Sequence, residues 1–198
     1  MWLGSYEADK QLAIAGELRP GQIMFDIGAN VGFFTLLGAK HVGPAGRVVA
    51  VEPLARNVDY LKRHCKINDY SNILIVPKAV SDFSGTARFS EEGESTSRLS
   101  ESGNSVVEVT TLDDLAKDLR VRPDLIKVDV EGAEIGLLRG GLRLLAEARP
   151  VIYMAVHSAD LFDELLHLAP TIGYKIDKLA GNRGGDSSFW DEVVLRPA

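Results

Sequence analysis

The sequence has very little cysteine and no long apolar run. Its 198 residues include a single cysteine, Cys65, so an internal disulfide is excluded and a reducing, cytoplasmic location is expected. No apolar stretch approaches the roughly 18 residues that cross a bilayer, and no basic region followed by an apolar one opens the chain. We therefore expect neither a membrane span nor a signal peptide.

Positive charge is also scarce. The chain has 22 Lys and Arg residues against 28 Asp and Glu residues, which gives a net charge of −6. Surfaces that bind nucleic acids are normally basic, so an RNA or DNA substrate is disfavoured. A hydrophobic content of 45% and a charged content of 25% are typical of an ordinary folded domain. We expect one domain over residues 1–198, because this length can bury about 70% of its unfolded surface.

Short apolar runs alternate with segments of helical periodicity. Strands are predicted at residues 22–27, 47–51, 73–76, 125–130, 151–156, 174–179 and 190–195, with helices between most of them. This alternation predicts an α/β fold with a doubly wound, mostly parallel seven-stranded sheet, helices on both faces and an antiparallel last strand. A short helix is expected within residues 1–20, and a flexible loop at 90–105. Ligands of such sheets bind at the carboxyl ends of the strands.

The most informative segment runs from Phe25 to Thr35. It reads as a buried strand that enters a glycine-rich turn and continues at once into a helix. Glu52 follows at the end of the next strand, 24 residues after Gly28. A carboxylate at that strand end can accept hydrogen bonds from a ribose while the first turn receives the rest of the ligand. The pair predicts a cofactor that contains a nucleoside.

The spacing of the glycines indicates which cofactor. A dinucleotide site requires G-x-G-x-x-G, but this chain has Asn30 and Phe33 where the second and third glycines would fall. The pattern Asp26-x-Gly28-x-Asn30-x-Gly32 instead resembles motif I of the class I S-adenosylmethionine-dependent methyltransferases. Asp26 could bind the ammonium group of that cofactor directly or through water. An NAD-linked oxidoreductase, a non-catalytic cofactor-binding domain and a purely structural turn remain as alternatives.

Several chemically active residues follow other strands of the predicted sheet. Asp129 and Glu131 lie at the end of the fourth strand and His157 follows the fifth, so they should meet the Gly28 turn at one edge. His157 is the first candidate for a general base, because its unperturbed pKa is about 6.5. Glu131 is the second, and Asp129 is assigned to the methionine part of the cofactor or to the acceptor. The loop at 181–188 would reach the same edge.

Four segments together resemble the FkbM family of methyltransferases: residues 25–32, 51–53, 78–85 and 126–134. The resemblance covers about Tyr6 to Val156. It implies a Rossmann-like class I fold, S-adenosylmethionine as methyl donor and a hydroxyl acceptor on a sugar, a polyketide or a similar small molecule. Family members often carry an acidic residue two places before the histidine that follows the fifth strand, where this chain has Ala155.

The predicted cofactor-binding residues are Asp26, Gly28, Ala29, Asn30, Gly32, Phe33, Glu52, Pro53, Ala79, Val80 and Asp129. Glu52 is expected to bind both ribose hydroxyls, with Pro53 against the ribose or adenine, and Ala79 and Val80 beside the adenine. No metal site is expected, because Asp129 and Glu131 would share a face only if the strand stayed extended, and no second His or Cys supports them. A small-molecule or glycan acceptor is expected, with neither nucleic acid nor membrane as partner.

Overall fold

The protein is described by a computed structural model that covers residues 7–90, 98–99, 105–179 and 191–198. The helices are α1 (Ala8–Glu17), α2 (Phe33–Val42), α3 (Ala55–Ile67), α4 (Leu112–Leu119), α5 (Glu134–Arg139), α6 (Leu142–Ala148) and α7 (Ala159–Thr171). The strands are β1 (Ile23–Ile27), β2 (Arg47–Val51), β3 (Ile73–Val76), β4 (Ala79–Val80), β5 (Gly85–Ser90), β6 (Arg98–Leu99), β7 (Ser105–Thr110), β8 (Leu125–Val128), β9 (Val151–Ala155), β10 (Tyr174–Lys178) and β11 (Glu192–Pro197).

Seven strands form the main sheet in the order β10-β11-β9-β8-β1-β2-β3. Strands β3, β2, β1, β8 and β9 pair in parallel, whereas β11 is antiparallel to both of its neighbours, β9 and β10. The chain order reverses between β1 and β8, which places the carboxyl ends of these two strands at the switch point where open α/β sheets bind ligands. The predicted Rossmann-like, doubly wound sheet with an antiparallel last strand is confirmed.

A second sheet has the order β4-β7-β5-β6. In it β7 pairs in parallel with β4 and antiparallel with β5. Part of the segment at 90–105, predicted as a loop, is a strand: Leu99 of β6 pairs with Phe89 of β5. The small sheet lies beside the carboxyl ends of the parallel strands of the main sheet, because β4 directly follows β3 and its residues Ala79 and Val80 are buried.

Helices cover both faces of the main sheet because successive strand side chains point to opposite sides. In β1, Phe25 and Ile27 pack into one core cluster with residues of α4, α5, α6 and α7. Met24 belongs to a second cluster that contains residues of α1 and α2. Asp26 shares the Met24 side of the strand and is fully buried there.

Local sequence signals fix several ends of the elements. The hydroxyl of Thr111 accepts a hydrogen bond from the Asp114 N–H (3.0 Å) at the start of α4, and the hydroxyl of Ser158 accepts one from the Leu161 N–H (3.2 Å) at the start of α7. β8 ends at Val128, two residues earlier than predicted. Among the described residues, no helix has both the length and the apolar character needed to cross a membrane. Trp190 and the 181–188 loop lie outside the described residues.

Candidate active site

The turn after β1 depends on backbone conformations that favour glycine. Gly28 has φ +75°, and a Cβ added there would lie 1.8 Å from the Asp129 carbonyl oxygen, which belongs to the neighbouring strand exit. The N–H groups of Gly28 and Ala29 both donate to the Val51 carbonyl, at 2.9 and 3.0 Å. Asn30 also has a positive φ, +48°. The turn is therefore hydrogen-bonded to the end of β2 and packed closely against the exit of β8.

Glu52 is 5% exposed and is held mainly by main-chain N–H groups. Its carboxylate accepts hydrogen bonds from Asn30 N–H (2.9 Å), from Leu54 N–H (3.1 Å) and from the side-chain amide of Asn57 (3.1 Å). Burial raises the pKa of Glu52, while these three hydrogen bonds act in the opposite direction. The sequence predicted this carboxylate but not Asn57, which lies in the first turn of α3.

A cavity of about 570 Å³ opens at this edge of the sheet. Of the predicted site residues, the following line it: Gly28, Ala29, Asn30, Phe33, Glu52, Pro53, Ala79, Val80, Asp129, Glu131 and His157. Residues that the sequence analysis did not assign, among them Asn57 and Lys127, line it too. The structure thus brings together residues from the ends of five strands.

Asp26 and Gly32 are not among the described residues that line that cavity, and their role as cofactor contacts stays a prediction. The Asp26 carboxylate is fully buried and accepts a hydrogen bond from the Thr35 hydroxyl at 2.6 Å. At Gly32, φ is +97° and a Cβ would lie 2.3 Å from the Leu61 side chain. Both residues therefore support the turn from the side away from the cavity.

Lys127 is the main residue that sequence reasoning left unassigned. Its side chain is 4% exposed, and its ammonium donates to the Gly28 carbonyl at 2.9 Å. The same nitrogen lies 3.4 Å from Asp26 and 3.5 Å from Asp129. Burial alone would lower the pKa of Lys127, but Asp26 and Asp129 raise it above its usual value. The sequence feature that indicated this role is a lysine inside an otherwise apolar strand, because a buried ammonium needs carboxylate partners.

His157 stands among three carboxylates. Its Nε2 lies 3.4 Å from Asp129 Oδ1 and 3.6 Å from Glu131 Oε2. Its Nδ1 is in hydrogen-bond contact with Oε1 of Glu134, a residue at the start of α5 that is 1% exposed. We call Asp129, Glu131 and His157 the acid–histidine cluster. The sequence placed these three residues together but missed Glu134.

The neighbouring carboxylates determine the protonation of His157 and so the charge of this cluster. Burial would lower the pKa of His157, but Asp129, Glu134 and Glu131 together raise it to about 10, so the imidazole carries its proton near neutral pH. Burial would raise the pKa of Asp129, yet Lys127 and His157 hold it well below its usual range. Burial raises the pKa of Glu131, and His157 opposes that effect. His157 therefore departs from the ordinary imidazole that the sequence analysis assumed.

A second charged group lies on the α1 side of the same cavity. The ammonium of Lys10, which is 2% exposed, lies 2.7 Å from Glu7 and 2.5 Å from Glu192. Burial raises the pKa of Glu192 to about 7 despite the neighbouring Lys10. Glu7, Asp191 and Glu192 all line the cavity. No sequence motif joins these residues, because α1 and β11 stand at opposite ends of the chain.

The sheet order, the turn and the carboxylate at the end of β2 together define a Rossmann-like fold of the class I methyltransferase type. The profile of the methyltransferase FkbM domain matches residues 26–176. The chain therefore belongs to the FkbM methyltransferase family, and S-adenosylmethionine is the cofactor that goes with this assignment. No curated protein matches the chain.

Solved structures share the fold at low sequence identity. Methyltransferase FkbM from Methylobacillus flagellatus KT is 19% identical with a TM-score of 0.63, over 94% of this chain and 50% of that one. A putative rRNA methylase from Clostridium thermocellum is 10% identical, with a TM-score of 0.63 over 95% and 92%. An S-adenosylmethionine-dependent O-methyltransferase from Thermotoga maritima is 13% identical, with a TM-score of 0.60 over 98% and 66%. The chain thus spans half the length of the Methylobacillus protein.

Proposed function

We propose that the protein is an S-adenosylmethionine-dependent methyltransferase that methylates a hydroxyl group of a small molecule, a sugar or a polyketide-like acceptor. The observation that carries this proposal is that the Glu52 carboxylate and the acid–histidine cluster line one cavity. When bound, the cofactor supplies an activated methyl group on a sulfonium, which a nucleophilic oxygen can take. The chain's own residues have to hold that cofactor and prepare the oxygen.

The turn and Glu52 suit the adenosine part of the cofactor. A carboxylate has about four acceptor positions, and three donors already use Glu52, so one position is open to a ribose hydroxyl. The Asn57 side chain, which also lines the cavity, offers its carbonyl oxygen to the second hydroxyl. Sharing the ribose between Glu52 and Asn57 replaces the expectation that Glu52 binds both hydroxyls. Pro53, Ala79 and Val80 supply apolar surface for the ribose and adenine.

The acid–histidine cluster suits the preparation of the acceptor. An alcohol must lose its proton as its oxygen is methylated, and help with that transfer typically accelerates a reaction about 10²–10⁴-fold. Asp129, Glu131 and His157 present two carboxylates and an imidazole to the cavity. Because His157 is charged near neutral pH, we assign proton removal to the cluster as a whole and not to His157 acting alone.

An RNA acceptor is the second candidate, because one of the similar folds belongs to a putative rRNA methylase. The charge of the cavity opposes it. Six carboxylates line the cavity, from Glu7, Glu52, Asp129, Glu131, Asp191 and Glu192, against four basic side chains, from Arg56, Lys78, Lys127 and His157, so acidic groups outnumber basic ones there. A phosphate backbone would meet repulsion there, while a neutral or cationic small molecule would not.

Thermal-shift measurements test the cofactor assignment first. S-adenosylmethionine and its demethylated product should stabilise the protein, by about 2.7 kcal/mol at a hundred times the dissociation constant, and NAD should not. A response to NAD alone would reverse the assignment. Product masses from incubations with sugars, polyketides, small phenols and an RNA oligonucleotide then identify the acceptor class, and methylated RNA as the sole product would replace our proposal.

His157→Ala tests the cluster. We expect turnover to fall about 10²–10⁴-fold while cofactor affinity changes little, because His157 lies away from the Glu52 end. The control is His167→Ala, which removes an exposed histidine of α7 whose ring contacts the Asp163 carbonyl at 2.7 Å. Near-normal turnover in His157→Ala would remove this residue from the reaction.

A further inference from the structure

The loop between β8 and α5 turns Glu131 toward His157. The sequence argued against a metal site because Asp129 and Glu131 would share a face only on an extended strand. The strand ends at Val128, however, and Glu131 has a left-handed backbone with φ +46°. This bend brings ligand atoms of Asp129, Glu131 and His157 within 4.8 Å of one another.

From this geometry we infer that Asp129 Oδ1, Glu131 Oε2 and His157 Nε2 bind a divalent cation of the Mn²⁺ class at the acceptor end of the cavity. Ligand atoms at roughly 2.1 Å from one ion stand about 3–4 Å apart. The Nε2 atom already lies 3.4 and 3.6 Å from the two carboxylate oxygens, so small side-chain rotations suffice. Because the imidazole is charged near neutral pH, the ion has to displace the Nε2 proton, which leaves to solvent. Two carboxylates suit Mn²⁺ or Mg²⁺ and an imidazole suits softer divalent ions, and Mn²⁺ accepts both kinds of ligand.

The residues around the three ligands support this inference independently. A histidine that binds a metal usually gives its other ring nitrogen to a carboxylate, which fixes the ring and its tautomer. Here Nδ1 contacts the buried carboxylate of Glu134, so Nε2 faces Asp129 and Glu131. The second Glu134 oxygen, Oε2, is buried and has no hydrogen-bond partner among the described residues. Lys127 similarly holds the other oxygen of Asp129, at 3.5 Å.

Three protein ligands leave coordination positions open toward the cavity. A divalent cation there would bind the acceptor oxygen and lower the pKa of its hydroxyl, as metal ions do for bound water. This catalytic use rests on the proposed function. Occupancy of the site does not, because binding of the ion can be measured without any methyl transfer.

The test is a titration of the chelator-treated protein with Mn²⁺. Binding is measured by electron paramagnetic resonance, which detects the free ion, and by calorimetry. We expect one Mn²⁺ per chain. Glu131→Gln should weaken binding at least tenfold, and it should fold normally because the Glu131 side chain is only partly buried (30% exposed) and glutamine has nearly the same shape. Glu134→Gln should keep the one-to-one stoichiometry and weaken binding about 10–100-fold, as loss of a ligand's hydrogen-bond partner does.

The matched control is Asp191→Asn, which removes one negative charge from the same cavity but none of the three ligands. Binding that falls equally in Glu131→Gln and Asp191→Asn would show general attraction by a negative cavity and would overturn the inference. Failure of the wild-type protein to bind Mn²⁺ would overturn it as well. If Mn²⁺ binds as expected and no acceptor is ever methylated, the proposed function fails while the metal site stands.

Discussion

The two ends of the cavity are built from different chemical groups. At the adenosine end, main-chain N–H groups of Asn30 and Leu54 hold the Glu52 carboxylate, and a turn with positive φ values fits against it. At the other end charged side chains hold one another, because Lys127 pairs with Asp129, and His157 pairs with Asp129 and Glu134. The first end therefore rests mainly on main-chain groups, and the second on pairs of charged side chains. Substitutions that disturb the backbone should therefore damage the first end, and substitutions that remove a charged partner should damage the second.

The largest effect is expected for Gly28→Ala. The new Cβ would lie 1.8 Å from the Asp129 carbonyl, and neither backbone can yield without separating β1 from β8. We expect at least about 4 kcal/mol of lost stability and no cofactor binding, measured by chemical denaturation and calorimetry. Gly21→Ala is the control, because Gly21 also has a positive φ (+89°) but open space around it. It should lose only about 1–2 kcal/mol, and equal losses in both variants would contradict our account of the turn.

Lys127→Met removes the buried ammonium that pairs with two carboxylates beside the cavity. It leaves Asp26 and Asp129 without their shared ammonium, and loss of one partner of a buried ion pair typically costs about 3–5 kcal/mol. Urea denaturation should show this loss. Lys78→Met, which removes an exposed pair with Glu108 at 3.2 Å, should lose no more than about 1 kcal/mol. Similar midpoints for both variants would mean that Lys127 is not needed to neutralise the buried carboxylates.

Glu52→Gln tests the adenosine end. A charge-assisted hydrogen bond is worth about 1.5–3 kcal/mol, so cofactor affinity should fall roughly 10–150-fold in calorimetry. Glu147→Gln, at an exposed ion pair with Arg122, should leave affinity unchanged. An unaltered affinity in Glu52→Gln would place the ribose elsewhere.

The same variant tests the raised pKa of Glu52. A carboxyl whose pKa is raised by folding binds its proton more tightly in the folded state. Below its unfolded pKa of 4.5, Glu52 is protonated in both states, and the stability difference between the wild type and Glu52→Gln does not change with pH. As pH rises from there through the folded pKa, the wild type should lose stability relative to Glu52→Gln, and the difference should then stay constant. Denaturation curves across this range measure it, and a difference of the opposite slope would mean that the hydrogen bonds outweigh burial.

The smallest effects are expected at two helix starts. Thr111→Ala and Ser158→Ala each remove an N-cap hydrogen bond and should cost about 1 kcal/mol. Ser158 follows His157 directly, so its loss should also slow turnover, whereas Thr111→Ala should not. Thermal denaturation and initial rates measure the two effects. Equal turnover in both variants would show that the cap of α7 does not position His157.

The parts of the fold that the sequence predicted are those with local causes. The strand at 47–51 and the strand at 73–76 were placed correctly because apolar runs bounded by turn residues define them. The caps at Thr111 and Ser158 follow from hydroxyl groups three residues before their partners. The end of β8 was missed because the positive φ at Glu131 has no sequence signature: glutamate rarely adopts it, and only Gly132 beside it indicated a turn.

The sequence by itself determined the doubly wound sheet, the glycine turn and the carboxylate at the end of β2, because each depends on the order and spacing of neighbouring residues. Tertiary structure decided which charges meet. Asp26 is held by Thr35 and Lys127 behind the turn, Glu134 supports His157, and Lys10 joins the two ends of the chain through Glu7 and Glu192. A buried charge is stable only beside its partners, and partners far apart in sequence are identified only when the strands that carry them are packed side by side.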